Sequence, residues 1–266
     1  MSKLFQKSIG KTILEVSHKL MEHPSKSVYF NHIHNHCEIL LFIRGEADYN
    51  IDGQIFTPSP YDLLFIPAAT YHYLIPTASV PYENYVIGID PSVLAPGHYD
   101  KLFSPPLMLN IKDDKELTGF FLRLDFYDKY YSEEDFSESA GALIRELVTY
   151  CSYRKDSLNQ VRNESLTHIE EIIRYISENI EKPLDADAVS HHFLLSKSYI
   201  QNMFSQNMHI GLKKYIMQKK IYAARADILR GLRPYDACEK YGFGDYSSFY
   251  RLYKKNFSES PRSGQI

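Results

Sequence analysis

Two stretches in the last part of the sequence are versions of one another. Set side by side, LDADAVSHHFLLSKSYIQNMF (184–204) and LRPYDACEKYGFGDYSSFYRLY (232–253) pair Leu184 with Leu232, Val189-Ser190 with Ala237-Cys238, and Phe193 with Tyr241. One extra residue in the turn then brings Ser196 opposite Asp245, Ile200 opposite Phe249 and Phe204 opposite Tyr253. Each copy reads as a short helix, a tight turn and a second helix opened by a good N-cap residue, Ser196 or Asp245, whose side-chain oxygen can accept from backbone N–H groups one turn on. Small residues, Ser190 and Cys238, fall where the two helices would cross closely. One such pair is as often mere packing in a helical bundle. Two copies joined by a long helix through LKKYIMQKKIYAARADILR point to a tandem helix-turn-helix.

The major groove of DNA admits an α-helix, with small polar and amide side chains facing base edges and basic ones holding phosphates. In SKSYIQNMFSQN the spacing assigns Tyr199, Ile200, Met203 and Phe204 to the core, leaving Lys197, Ser198, Gln201, Asn202 and Ser205 outward, beside the N-cap Ser196. Gln201 and Asn202 carry the amides that can bond adenine in two places. In DYSSFYRLYKKNF the core set is Phe249, Leu252 and Tyr253, and Tyr246, Ser247, Tyr250, Arg251, Lys254 and Lys255 face out. For any single lysine a solvated surface is as good a reading as a phosphate contact.

The segments AVSHHFLLSKSYIQNMF, KKYIMQKKIYAARADIL and YGFGDYSSFYRLYKKNFSESP resemble the AraC/XylS family of bacterial transcription regulators, and the resemblance covers residues 165–266. Its most specific part is Gly242-Phe243, Asp245, Ser247, Phe249, Arg251, Lys254-Lys255, Phe257 and Pro261. It implies two modules presenting reading helices near 196–206 and 246–256 to successive major-groove segments of double-stranded DNA. The connecting helix 212–230 would set their separation, and Arg251 would be a backbone or base contact. Three positions depart from the family pattern: Asn202 stands for the usual Arg, Pro234 for an apolar β-branched residue, and Ser258 for Gly. Pro234 can serve as the first residue of a helix.

The N-terminal half is of another kind. From about residue 28 to 90, runs such as CEILLFI, ADYNI, DLLFIPA, HYLIP and YVIGI alternate with turn chemistry, and Asp52-Gly53 is the strongest hairpin signal. A small β-barrel or sandwich is expected. In DKELTGFFLRLDFYDKYY and SESAGALIRELVTYCSYRK, apolar residues three and four apart predict two amphipathic helices. The polar stretch from 154 to 164 reads as a linker, followed by a helix with an apolar stripe Leu166, Ile169, Ile172, Ile173, Ile176 and Ile180 that has stopped by Pro183.

The segment NHIHNHCEILLFIRG (31–45) places His32, His34, His36 and Glu38 at alternate positions, the period at which strand side chains share a face. The pattern His32-x-His34-x3-Glu38-x6-Gly45 resembles the first cupin motif. Tyr61-x5-Pro67-x-Ala69-x2-His72 resembles the second, with Tyr61 and Ala69 where glycine is usual and Pro76 where asparagine is expected. By this resemblance His32, His34, Glu38 and His72 stand at metal-ligand positions, and three imidazoles with a carboxylate suit Fe, Mn, Ni, Zn or Cu.

Three readings compete for the quartet: a metal-dependent cupin enzyme, a pocket for a small-molecule effector such as a sugar with or without a divalent metal, and histidines that only satisfy neighbouring hydrogen bonds. Fusion to a DNA-binding half favours the second, with no catalytic residue and no obligatory cofactor. Tyr49, Tyr71, Tyr73, Tyr82 and Tyr85 could add stacking and hydroxyls to the pocket, although aromatics in strands are more often core.

Charge supports the division. Residues 1–164 hold 15 Lys and Arg against 22 Asp and Glu, a net of −7, and residues 165–266 hold 15 against 11, a net of +4. Cys37, Cys151 and Cys238 are far apart and form no CxxC pair, which suits a reducing cytoplasm. The N-terminus lacks an apolar signal core, and no stretch approaches the roughly 18 apolar residues of a membrane span.

The expectation is an α+β chain. Residues 1–155 form a cupin-like effector-sensing and dimerisation domain, 156–164 a linker, and 165–266 an all-α double helix-turn-helix domain. By family resemblance it acts as a homodimer, with FFLRLDFYDKYY and ALIRELVTYC as candidate seams, and would meet RNA polymerase if it activates.

Overall fold

A computed structural model describes residues 2–10, 13–25, 32–95, 97–160 and 167–263. The chain divides into two compact units, residues 1–164 and 165–266.

Among the described residues the first unit is built on ten strands: β1 (Ser2–Ile9), β2 (Ile13–Met21), β3 (Cys37–Arg44), β4 (Ala47–Ile51), β5 (Gln54–Phe56), β6 (Asp62–Ile66), β7 (His72–Pro76), β8 (Tyr82–Ile89), β9 (Leu107–Asn110) and β10 (Asn159–Gln160). They form a seven-stranded sheet in the order β1-β2-β8-β3-β6-β9-β10 and a three-stranded sheet β5-β4-β7, with antiparallel pairing throughout. Helices α1 (His98–Phe103), α2 (Lys115–Tyr130) and α3 (Glu133–Arg154) complete the unit.

Strands β3 and β6, inside the large sheet, are buried on both faces, which is why CEILLFI reads as a continuous apolar run rather than an alternation. Leu40, Phe42, Leu64 and Ile66 cluster with Tyr49, Ile51 and Phe56 of the small sheet, while Ile39, Leu41, Leu63 and Phe65 cluster with Leu117, Phe121, Ile144 and Leu147 of the helices. Strand β3 thus sends Glu38, two residues before Leu40, toward the inter-sheet side.

Two turns realise sequence features directly. Asp52 and Gly53 both have positive φ, 45° and 85°, the geometry of a tight hairpin turn between β4 and β5. Tyr61 and Ala69, at positions where the cupin motif has glycine, keep the left-handed backbone, with φ of 69° and 57°.

Helix α2 is tied to the sheet by His18. Its Nδ1 lies 2.8 Å from Asp125 of α2, its Nε2 lies 2.9 Å from Glu83 of β8, and its ring stacks on Tyr85 at 3.8 Å. Burial disfavours the charged imidazole, but the two carboxylates outweigh it and raise the pKa above the ordinary histidine value.

Strands β1 and β2 lie in a stretch for which the sequence reading assigned no structure. Of the segment read as linker, residues 155–157 form a helical turn and Asn159–Gln160 pair with β9, so the sheet reaches further along the chain than expected. Residues 161–164 of that linker, and Leu166 of the apolar stripe, lie outside the described residues.

The second unit is all helical: α4 (His168–Glu178), α5 (Ala186–Phe193), α6 (Lys197–Met208), α7 (Leu212–Leu229), α8 (Pro234–Lys240) and α9 (Tyr246–Phe257). Thr167 and Glu170 form a capping box at the start of α4, whose Ile169, Ile172, Ile173 and Ile176 are buried. Among the described residues no helix is long and apolar enough to cross a membrane.

Candidate functional site

The two helix-turn-helix modules match in detail. The Ser196 side chain accepts from the Tyr199 N–H at 3.2 Å to open α6, and Asp245 accepts from Ser248 at 2.8 Å to open α9. In the turns, Leu195 N–H donates to Ser190 O at 3.2 Å, and Phe243 N–H donates to Cys238 O at 3.1 Å, the same bond at aligned positions. The Ser190 hydroxyl adds a bond to Leu195 O at 2.7 Å. Pro234 is the first residue of α8, where its missing N–H costs nothing. Ser258, in place of the family's glycine, takes the left-handed position that ends α9, with φ 57°.

Ile200, Phe204 and Met208 bury one face of α6; Phe249 and Tyr253 bury one face of α9. The opposite faces expose Ser196, Lys197, Ser198, Gln201, Asn202 and Ser205 in the first module and Ser247, Tyr250, Arg251, Lys254 and Lys255 in the second. Tyr246 is only half-buried and lies against Tyr235.

One assignment needs correction: Tyr199, expected in the core, is 53% exposed, because the buried stripe runs 200-204-208 and turns residue 199 toward solvent. Tyr199 therefore joins the outward set. Lys197 lies 2.7 Å from Asp187, whose hydrogen bond raises the lysine pKa, so part of its charge is already matched. Lys220 of α7 is buried and donates to Lys182 O at 3.1 Å, and burial lowers its pKa.

In the first unit, His32, His34, Glu38 and His72 converge, each with a ligating atom within 4.8 Å of the others'. Strand alternation is not what gathers them. Residues 33–36 precede β3 without strand structure, and His32 joins the small sheet through an isolated bridge, with His32 N–H donating to His72 O at 3.2 Å and His72 N–H to His32 O at 3.1 Å. The left-handed turn at Ala69 points its N–H at His34 O, 2.8 Å away, and so fixes the approach to His72.

The imidazole orientations are informative. His34 Nδ1 lies 2.9 Å from His36 O and His72 Nδ1 lies 3.0 Å from Thr70 O. A carbonyl only accepts, so both Nδ1 atoms carry hydrogen, and in the neutral form each ring would present its Nε2 lone pair to the cluster. These lie 3.3 and 3.1 Å from the Glu38 oxygens, within ion-pair distance, yet neither Nε2 is buried in a hydrogen bond. Lone pairs facing a carboxylate call for a cation between them, either a proton on the ring or a metal ion. The donor set and the backbone-tied Nδ1 atoms fit a divalent transition metal.

Burial opposes ionisation of Glu38, but the charge of His72 and the contacts from both imidazoles outweigh it and hold the carboxyl well below its usual range. Burial likewise opposes charge on His72, and Glu38 reverses it, raising that pKa.

His36 stands apart. Its ring stacks on His34 at 3.6 Å, outside the quartet, and burial followed by the charge of His34 lowers its pKa to about 4. Gly88 makes room for it, since a Cβ there would meet the His36 ring at 3.0 Å. That role had one sequence signal, a glycine inside the strand YVIGI.

The tyrosines do not form one lining. Tyr49 and Tyr82 lie in the inter-sheet core with their hydroxyls paired, while Tyr85 faces the helices and donates to Asp125, so Tyr85 drops out of the pocket. Tyr71 and Tyr73 are buried, and burial pushes the Tyr73 hydroxyl up to about 12.

Comparison with known proteins covers both halves of the chain. A profile described as a helix-turn-helix domain matches residues 189–264, and one described as an AraC-like ligand binding domain matches residues 21–168. The HTH-type transcriptional regulator YijO of Escherichia coli is 23% identical over 219 residues, covering 81% of this chain and 77% of that protein. The regulatory protein SoxS of Escherichia coli is 31% identical over 94 residues, covering 35% of this chain and 88% of that one. ToxT of Vibrio cholerae aligns in structure over 95% of this chain and 97% of its own, at 12% identity and a TM-score of 0.40. With the ligand-binding profile spanning more than half of the sequence and the helix-turn-helix profile most of the remainder, the chain belongs to the AraC family of DNA-binding transcription regulators.

Proposed function

We propose that this regulator senses its effector at His32, His34, Glu38 and His72, and that a bound divalent metal is part of the sensor. The observation that carries this reading is the pair of Nε2 atoms that face Glu38 without hydrogen bonds while both Nδ1 atoms are tied to carbonyls. A metal held there would supply Lewis acidity toward an oxygen donor of the effector, which suits a hydroxyl-rich molecule such as a sugar. The chain's own residues set the ring tautomers and keep Glu38 ionised, and the quartet would form the contact surface for the effector. The effector acts by favouring one arrangement of the protein, which requires unequal affinity for the two.

On the DNA side, the exposed faces of α6 and α9 carry the contacts, with Ser196, Lys197, Ser198, Gln201, Asn202, Tyr246, Ser247, Tyr250, Arg251, Lys254 and Lys255 as the interface. A homodimer working in the cytoplasm would engage two such sites. Of the two candidate seams, ALIRELVTYC spends Leu143, Ile144, Leu147, Val148 and Cys151 on its own core. FFLRLDFYDKYY leaves Leu122, Phe126 and Tyr130 exposed at 65%, 50% and 62%, four residues apart along α2, and this stripe supports α2 as the seam.

Elemental analysis of untagged protein tests the sensor. About one metal ion per chain is expected, lost in Glu38→Gln with the protein still folded. A metal-free chain after growth and refolding in Fe, Mn, Ni, Zn and Cu would leave only the protonated-histidine reading. Sedimentation of Phe126→Lys tests the seam, and an unchanged dimer would reject it.

A further inference from the structure

The first unit holds a cavity lined by neither the quartet nor the inter-sheet core. It has a volume of about 130 Å³ and lies where α3 crosses the ends of β2 and β8. Its floor is Ile13, Ile89, Ile144 and Val148, each no more than 3% exposed. Its rim carries Arg145 and His98.

Arg145 is placed unusually for a surface arginine. Its neighbours three and four residues away on α3 are Ala142, Val148, Gly141 and Thr149, so no acid stands one helical turn from it, and among the described residues its guanidinium has no ion-pair partner. Thr149 spends its hydroxyl on Arg145 O at 2.9 Å. The guanidinium folds back over Gly141: a Cβ there would lie 3.7 Å from Nη1 and 3.8 Å from Ile13 Cδ1. At these distances a Cβ at position 141 would be in ordinary van der Waals contact with both groups, so the guanidinium lies close along α3 beside Ile13.

An apolar chamber with a cation at its mouth matches one ligand chemistry, an apolar group ending in a single anion. A cavity of about 150 Å³ lined by aliphatic side chains holds a benzene-sized molecule, so this one accommodates a tail of about four to six carbons. A guanidinium pairs best with a planar carboxylate, which it can grip with two N–H groups. We propose that this cavity is a binding site for a small monocarboxylate with a branched or cyclic apolar tail, separate from the quartet. Such a ligand would rest on Ile144 and Val148 of α3, the last helix before the C-terminal unit.

Titration of the full chain with isovalerate and with its neutral amide, isovaleramide, tests this. Isovalerate is expected to saturate one site per chain, with the amide at least about tenfold weaker, the size of one charge-assisted contact. Arg145→Gln, at an exposed position that leaves the fold intact, should weaken isovalerate about tenfold and leave the amide unchanged. Adding a chelator should not shift the isotherm, which keeps this site distinguishable from the quartet. Equal binding of acid and amide, no effect of Arg145→Gln, or no saturation by either compound would overturn the proposal.

Discussion

The two helix-turn-helix modules are one device built with different chemistry. Both second helices have 12 residues and both close on a left-handed residue, His209 in the first and Ser258 in the second. Yet α6 presents four amides, Gln201, Asn202, Gln206 and Asn207, and a single lysine already facing Asp187, whereas α9 presents Arg251, Lys254 and Lys255 and contains no acid. On the proposed DNA interface that difference would divide the labour: the second module would anchor to phosphates, and the first would discriminate sequence through groups that bond base edges without net charge.

That division can be broken by mutation. Arg251→Ala should give the largest effect, a loss of roughly tenfold or more in affinity, alike on cognate and random DNA, read by equilibrium binding at fixed salt. Lys254→Ala with Lys255→Ala should lower the slope of log affinity against log salt by about 2 if both meet phosphate. Gln201→Ala and Asn202→Ala should each cost roughly tenfold on the cognate site, with little change on random DNA and none in the salt slope. A change in slope there, or an unchanged slope in the lysine pair, would reverse the assignment.

The turns differ too, by less. Aligned residues Leu194 and Gly242 both take the left-handed backbone, φ 54° and 66°, but Leu194 does so with its side chain 88% exposed. Leu194→Gly should therefore stabilise the protein by about 1 kcal/mol, and Gly242→Ala destabilise it by about the same, both seen in denaturant unfolding of the full chain. The smallest effect belongs to Asp187→Asn, which removes an acid beside Lys197 and should tighten DNA binding about twofold at low salt.

Much of this was readable from sequence because it rests on local rules. The caps at Ser196 and Asp245, the start of α8 at Pro234 and the register of the repeat depend on short-range hydrogen bonding, which residue identity determines. The quartet was also foreseen, though by likeness to the cupin motif rather than by strand parity, since His32 and His34 reach the site through a bridge and a turn. Parity alone would have admitted His36, which stacks on His34 instead.

Long-range facts stayed hidden. Strand β2 reads as no clean alternation because it is packed partly on both faces, with a buried run Val16, Ser17 and His18 in its middle. Tyr199 was misplaced because spacing of three or four residues leaves two adjacent stripes open on α6, and only packing in the unit selects 200-204-208. Tyr85 looks like its neighbours in sequence, and only its register on β8 sends it to Asp125.

Helix α7 has a consequence for the operator. It is a single 18-residue helix with buried residues from Leu212 to Ile228, about 27 Å from end to end, and so it fixes angle as well as distance between the two modules. One inserted residue would turn everything beyond it by about 100°, while three or four would nearly restore the facing and add only about 5 Å. With both modules on DNA, the protein would carry its own phase reference against the DNA helix. An operator with five base pairs inserted between its two segments presents them on opposite faces, and a rigid α7 leaves the protein no torsion with which to follow.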